Sequence, residues 1–349
     1  MLDTIDLAIF FKFALKFVQT SSMKIRRKPH WLKIRFPKTH NFAKVDKVLK
    51  QYNLHTICVS GKCPNLGECW DAGTATIMIL GNICTRACKF CAVRTGKPLA
   101  PDPSEPRKVA EAIKQLGIKH VVLTSVDRDD LEDKGSGIWA LTIKTIKTLT
   151  PWVTIEALIP DFDAIPQFLD KVIHARPEII SHNMETIRRL TPKLRSKATY
   201  ENSLKVLEYI ASKNITAKTG LMVGLGETAK EVYQFMDDVL SVGVKILTIG
   251  QYLQPTPKNY PVYEYVKPEV FERYKKVALE KGFTFVESGP LVRSSYHAEK
   301  QVNIRAIENN IISHTLPHIQ EQQIIEIEKQ QDKQKIDILS LLKQNSMKN

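Results

Sequence analysis

The chain predicts an α/β fold: a partial parallel (βα)6 barrel of the TIM type, with a cysteine-rich N-terminal extension and a C-terminal segment. Two observations carry that expectation. Six apolar, β-branched runs alternate with stretches of helical period between residues 76 and 250. Such alternation implies parallel strands joined by right-handed crossover helices. The first run is followed at once by three clustered cysteines, and in barrels of this type the chemistry sits at the carboxyl ends of the strands.

Taken in order, Thr76-Ile-Met-Ile-Leu-Gly reads as a buried first strand. Ser104 reads as the cap of a helix that runs to Leu116 and is ended by Gly117. The second strand is residues 119–125, and a helix over 138–149 follows it. Strands three to six are residues 153–159, 178–181, 216–223 and 245–250. Thr228-Ala-Lys-Glu231, between the last two, is a capping box. A further strand, 283–287, leads into Ser-Gly-Pro-Leu-Val-Arg-Ser-Ser-Tyr at 288–296. Upstream, residues 24–50 read as basic and irregular, and Cys58 to Trp70 read as loop because Gly61, Pro64 and Gly67 interrupt them. The divisions that follow are an N-terminal extension (1–23), an N-terminal thiol-bearing segment (24–75), the barrel (76–256), a C-terminal segment (257–300) and a tail (301–349) that is helical or disordered. There is no internal repeat.

All six cysteines lie between Cys58 and Cys91. Dispersed structural thiols would not cluster so, and a secreted disulfide scaffold would be shorter and richer in cysteine. Cys84, Cys88 and Cys91 are spaced C-x3-C-x2-C on a loop leaving the first strand. Three thiolates leave one iron of a [4Fe–4S] cluster open, since such a cluster normally takes four. A structural metal knuckle is the other reading of the spacing, although zinc sites more often show paired C-x2-C ligands. With Phe90 before the third cysteine, the motif resembles that of the radical S-adenosylmethionine (SAM) enzymes, in which SAM chelates the open iron.

A second triple, Cys58, Cys63 and Cys69, is spaced C-x4-C-x5-C. Six thiolates could hold two zinc ions with His55 as a spare ligand, but the spacings fit neither finger nor ribbon. Further motifs are Val-Asp-Arg-Asp-Asp-Leu at 126–131, Gly-Leu-Met-Val-Gly-Leu-Gly-Glu-Thr at 220–228, Gly-Gln-Tyr-Leu-Gln-Pro-Thr at 250–256 and Arg-Ser-Ser-Tyr at 293–296. Together with the two triples, they make residues 24–300 closely resemble the lipoyl synthase family.

The resemblance implies the following. Cys84, Cys88 and Cys91 hold the SAM-binding [4Fe–4S] cluster. Cys58, Cys63 and Cys69 hold an auxiliary [4Fe–4S] cluster whose fourth ligand is Ser295. Without the resemblance, Ser294 and Ser295 read as a strand-end turn. A hard oxygen donor on a thiophilic cluster suits a corner that must open. The implied reaction inserts two sulfur atoms, at C6 and C8 of a protein-bound octanoyl chain, to give lipoyl. Those C–H bonds are unactivated, so a hydrogen atom must be removed rather than a proton, by a 5′-deoxyadenosyl radical from reductive cleavage of SAM. The implied partners are octanoylated carrier proteins (lipoyl domains of 2-oxoacid dehydrogenase E2 chains, the glycine cleavage H protein), a low-potential ferredoxin or flavodoxin, and an Fe–S carrier.

Other residues read less sharply. Residues 220–226 lack the full G-x-G-x-x-G opening and read as a strand-end loop beside SAM. Asp127 and Asp129 end the second strand and either orient SAM or substrate or are solvated. Glu156 makes either an interior polar contact or a cofactor contact. Met222 and Met236 read as core. The chain departs from the family pattern at Lys134, where glycine is expected, and at Ser196, where proline is expected; both fall in loops rather than on ligands.

The 349 residues are 43% hydrophobic, enough for a sizeable core. A net charge of +14 suits an acidic partner or a solvated basic surface. No aromatic-studded basic stripe of the kind that binds nucleic acid occurs. No run reaches the roughly 18 to 20 apolar residues of a membrane span. Residues 5–18 are apolar but interrupted by Asp6, Lys12 and Lys16, a poor signal peptide and better a loose amphipathic helix. A cytoplasmic location is expected, or a mitochondrial or plastid one if this extension is a targeting segment. A methylthiotransferase-like radical SAM enzyme and a zinc-stabilised nucleic-acid-binding protein are the alternative functions.

Overall fold

A computed structural model describes residues 27–34, 40–72 and 74–301. The expected helices of the N-terminal extension and of the tail beyond residue 301 lie outside them. By its contacts the chain separates into a unit of residues 1–33 and a unit of residues 34–349. In the first, the described part is a single 3-10 turn, His30–Leu32. Everything below concerns the second.

The strands are β1 His55–Thr56, β2 Thr76–Ile79, β3 Ile83–Cys84, β4 Arg94–Thr95, β5 His120–Ser125, β6 Thr154–Leu158, β7 Ile179–Ser181, β8 Thr216–Val223, β9 Ile246–Gln251 and β10 Phe285–Gly289. Eight of them form one sheet in the order β1-β2-β5-β6-β7-β8-β9-β10. Only β1 runs antiparallel; each later strand pairs in parallel with the one before it. Sequence order and spatial order coincide, as right-handed βα crossovers require, and the edge strands are not paired with each other. This is the open (βα) barrel expected, extended by two strands. The strand expected near 283–287 is β10, a seventh parallel member in register with β9.

The helices bury the faces their periodicity marks. Glu105–Leu116, for example, buries Val109, Ala110, Ala112 and Ile113. Its start differs in detail from the expectation. Ser104 occupies the cap position without capping, because its hydroxyl and N–H both donate to Asp102. Gly117 ends it at φ 71, and the Thr228–Glu231 capping box is fully formed. No described helix is long and apolar enough to cross a membrane.

The N-terminal segment is more ordered than its composition suggests. Within residues 24–50, His40–Gln51 is a helix, and the thiol-bearing stretch is not loop throughout. Ile57–Ser60 and Leu66–Asp71 are short helices that carry Cys58 and Cys69. Two features override the glycines. Thr56 accepts a cap hydrogen bond from the Val59 N–H, and Trp70 anchors a small separate core with Val45, Leu49, Cys58 and Ala75. Deep in the barrel, Glu156 and Lys218 form a fully buried ion pair at 2.8 Å, with the Ser181 hydroxyl donating to the same carboxylate. Glu156 is therefore an interior structural contact. Removing either partner would strand a buried charge.

Candidate functional site

Cys84, Cys88 and Cys91 are placed by a loop tied down on every side. Cys84 ends β3, which pairs with β4 at the far end of the same loop. The Thr85 N–H and hydroxyl both donate to the Asp127 carbonyl. The Lys89 N–H donates to the Leu194 carbonyl, and Asn259 Nδ2 donates to the Cys91 carbonyl at 2.8 Å. Within the loop, the Arg86 N–H points at Cys84 Sγ, 3.4 Å away.

The centre of this anchoring is Arg86, which thiol spacing alone does not single out. Its guanidinium is buried among four carboxylates: Asp129 and Asp161 at 2.8 Å, Asp127 at 3.3 Å and Asp163 at 3.4 Å. Burial works against its charge, but the hydrogen bonds it donates to Asp129 and Asp161 hold its pKa above the ordinary value. Asp129 in turn is held below the ordinary carboxylate range by Arg86 and Lys197, against its own burial. Asp127 differs: burial pushes its carboxyl up despite Arg86, and Cys84 Sγ lies 3.6 Å from it. Asp129 is thus spent on Arg86 and Lys197 rather than facing a ligand, whereas Asp127 lines the cavity.

That cavity, about 330 Å³, lies at the carboxyl ends of the strands and is lined by five of the six cysteines: Cys58, Cys63, Cys84, Cys88 and Cys91. Cys69 does not line it. Burial, and then the neighbouring charges of Cys63 and Cys58, push its thiol up to about 12, so it stands close to both. Burial also raises Cys58 and Cys63, takes Cys84 to about 12 and takes Cys91 to about 11. Thiols raised in this way keep their protons at neutral pH unless a bound metal displaces them. Among the described residues, no three His, Cys, Asp or Glu side chains converge on a single-ion site. His55 sits in the edge strand, paired with Met78, away from the cavity.

Ser295 reaches the same cavity from the other end of the chain and accepts a 2.8 Å hydrogen bond from the Thr76 hydroxyl. The segment that carries it is also fastened to the thiol-bearing segment at two points. Asn65 Nδ2 donates to the Leu291 carbonyl at 2.7 Å, and the Tyr296 hydroxyl donates to Glu68 at 3.1 Å. Ser294 accepts from Asn183 Nδ2 at 2.7 Å. The strand-end turn therefore delivers two hydroxyls to the cavity wall.

Several polar groups on the wall are visible only in the fold. Asn183 Oδ1 and Arg195 Nε are buried without a hydrogen-bond partner. Burial raises the Glu185 carboxyl. All three residues line the cavity. Their one sequence signal was position, just after the fourth barrel strand. Of residues 220–226, Gly220, Leu221 and Met222 line the cavity, whereas Gly224 and Gly226 do not. Met222 is therefore a wall residue rather than core; Met236 is fully buried core.

The two departures at 134 and 196 bear on the site more closely than a loop position implies. Lys134 holds φ 54, a conformation natural to glycine, and its ammonium sits 2.9 Å from Asp163 in the Arg86 network. Ser196 Oγ accepts from the Ala87 N–H at 3.0 Å and lies 3.8 Å from Cys88 Sγ. It touches the thiol loop itself.

Two family models match the chain: the radical SAM superfamily over residues 78–239, and the N-terminal domain of lipoyl synthase of the radical SAM family over residues 12–63. The second begins upstream of residue 24, where the motif resemblance starts. A lipoyl synthase of Parabacteroides distasonis is 59% identical over 276 residues, 79% of this chain and 98% of that protein. One of Treponema denticola is 57% identical, covering 79% of this chain and 96% of that protein. A protein of Nematostella vectensis, "Lipoyl synthase, mitochondrial", is 54% identical over 79% of this chain and 95% of its own length. At this identity and coverage, the chain belongs to the lipoyl synthase family of the radical SAM superfamily.

Proposed function

We propose that this chain is the sulfurtransferase that inserts two sulfur atoms, at C6 and C8, into an octanoyl group carried on a protein lysine, giving the lipoyl cofactor. The observation that carries the reading is the opening of five of the six cysteines, drawn from both triples, together with Ser295, onto one cavity. SAM and one [4Fe–4S] cluster follow from the superfamily. We assign that cluster to Cys84, Cys88 and Cys91, whose loop is held rigid by Arg86 and its carboxylates. When bound, the pair supplies a 5′-deoxyadenosyl radical able to take a hydrogen atom from an unactivated C–H bond.

The remaining work falls to the chain. Asn183 Oδ1 and Arg195, unsatisfied on the wall, are the groups we assign to the polar atoms of SAM, with Glu185 beside them. Leu158, Ile159, Leu221 and Met222 give the octanoyl chain an apolar wall and exclude water from the radical. We assign a second, auxiliary [4Fe–4S] cluster, the sulfur source, to Cys58, Cys63, Cys69 and Ser295. Two hydrogen bonds from the Ser295 segment to the first thiol segment, and a third to Thr76 at the start of β2, support that assignment. As substrates we propose octanoylated E2 lipoyl domains and the glycine cleavage H protein. A ferredoxin or flavodoxin would serve as donor and an Fe–S carrier would rebuild the auxiliary cluster, in the cytoplasm.

Mutation separates the two triples. At matched cluster loading, Cys88→Ala is expected to abolish SAM cleavage and all product. Cys63→Ala is expected to keep forming 5′-deoxyadenosine while making no carbon–sulfur bond, and Ser295→Ala to resemble Cys63→Ala. A folded Cys63→Ala protein that still inserts sulfur at the parent rate would remove the auxiliary site from this reading.

A further inference from the structure

Arg293 follows β10 and lines the cavity that Cys58 and Cys63 also line. Its open face is the cavity itself. Nη1 donates to the carbonyl of its neighbour Val292 at 2.6 Å, and the guanidinium packs so closely on β9 that a Cβ at Gly250 would stand 3.3 Å from Nη1. Arg293 is half-buried, and the fully buried arginines near the site have partners: Arg86 has four carboxylates, and Arg128 has Asp130 and the carbonyls of Leu80 and Leu99. Among the described residues, no carboxylate pairs with Arg293. Cys63 lies within electrostatic reach of the guanidinium, on the same cavity wall. Two carboxylates stand near Cys69, Glu68 and Glu299. Both are exposed to water, and Glu68 accepts from Tyr296.

A half-buried guanidinium with no carboxylate partner, lining a cavity, is suited to face an anion there. Three thiolates gathered on one side of it would supply that anion. We propose that Arg293 is the counter-charge of the auxiliary cluster, offsetting the negative charge brought by Cys58, Cys63 and Cys69 and raising the reduction potential of the group they hold. The proposal rests on the reading that those thiols carry a second cluster. Net charge and hydrogen bonding around the sulfurs are the protein's main means of setting such potentials.

The test uses the full chain with Cys84, Cys88 and Cys91 replaced by alanine, which leaves only the auxiliary site to load. One-electron titration, followed by electron paramagnetic resonance, reads its potential. Arg293→Gln is expected to lower the reduced-to-oxidised ratio at fixed poise about 10-fold, equivalent to roughly 59 mV for one electron, and Arg293→Lys to stay near the parent. If Arg293→Gln fails to load while Arg293→Lys loads, the counter-charge is equally supported. An unchanged potential in loaded Arg293→Gln overturns the proposal. So does an Arg293→Lys protein that behaves like Arg293→Gln, or failure of both to load, because shape rather than charge would then matter. A parent triple variant that binds no iron, against about four per chain expected, overturns the underlying assignment of the auxiliary cluster instead.

Discussion

His182 lies fully inside the molecule with both ring nitrogens committed, Nδ1 3.0 Å from the Ile159 carbonyl oxygen and Nε2 3.0 Å from Ser203 Oγ. The carbonyl can only accept, so Nδ1 carries the proton and Nε2 accepts from the serine hydroxyl. Ser203 in turn accepts from Arg195 at 2.8 Å. A second proton on the ring would face a hydroxyl already oriented to donate. Burial depresses the His182 pKa to about 4 from 6.5. The folded ring stays neutral while the unfolded one charges, so its contribution is complete above pH 6.5 and is lost as pH falls toward 4. That loss is on the order of 3 kcal/mol. Thermal unfolding of the parent should therefore weaken between pH 6.5 and 4 more than that of His182→Gln. Parallel pH dependence in the two proteins would mean another group sets the acid limit. Arg86 marks the boundary of what single residues reveal in advance. Its place between Cys84 and Cys88 is plain in the sequence, but its four carboxylates come from the ends of two other strands and become neighbours only in the fold.

At the scale of elements, the loop after β8 can be compared with the turn after β2. Gly224 and Gly81 have nearly the same backbone, φ +92 and φ +90. An alanine at 81 would meet nothing within 4 Å, whereas at 224 its Cβ would stand 2.2 Å from Gln251 Nε2 and 2.4 Å from the Glu264 carbonyl oxygen. Both substitutions carry the left-handed penalty of about 1–2 kcal/mol. Only Gly224→Ala adds overpacking, of about 1–3 kcal/mol. Urea denaturation should find Gly224→Ala the weaker protein by that margin; equal losses would show that the loop yields. Strands β2, β5 and β9 were legible because a buried parallel strand reads as a near-continuous apolar run, whereas β6 and β8 are interrupted by Glu156 and Lys218, which pair inside the barrel. The helices Ile57–Ser60 and Leu66–Asp71 were not, since what holds them is a threonine cap and the burial of Trp70 against a helix that itself looked irregular.

For the whole molecule, the net charge of +14 bears on encounter. If an acidic carrier domain docks by complementary charge, turnover on the intact carrier should fall steeply as salt rises past physiological strength, where the Debye length is about 8 Å. Turnover on a short octanoyl-lysine peptide of low charge should fall much less. Equal salt dependence for both would mean the basic surface is merely solvated. The barrel and both thiol triples were readable because period and spacing are local properties of the chain. The convergence of the triples on one cavity was not, and neither was the role of the 293–296 segment beyond what the family resemblance implied, because the contacts concerned span most of the chain.

Those contacts also impose an order on synthesis. The Thr76–Ser295 and Asn65–Leu291 hydrogen bonds join residues 219 and 226 positions apart. At about 5–20 residues per second, Cys58, Cys63 and Cys69 leave the ribosome some tens of seconds before the serine that meets them exists. The Cys84 loop needs no such wait for its carboxylates, since Asp163 lies only 77 positions from Arg86. A nascent chain released before residue 289 would present one thiol set on an assembled loop and the other on a wall lacking both the Ser295 hydroxyl and the Arg293 guanidinium. On the assignment proposed above, the site of Cys58, Cys63 and Cys69 is thereby complete only once translation has passed Ser295.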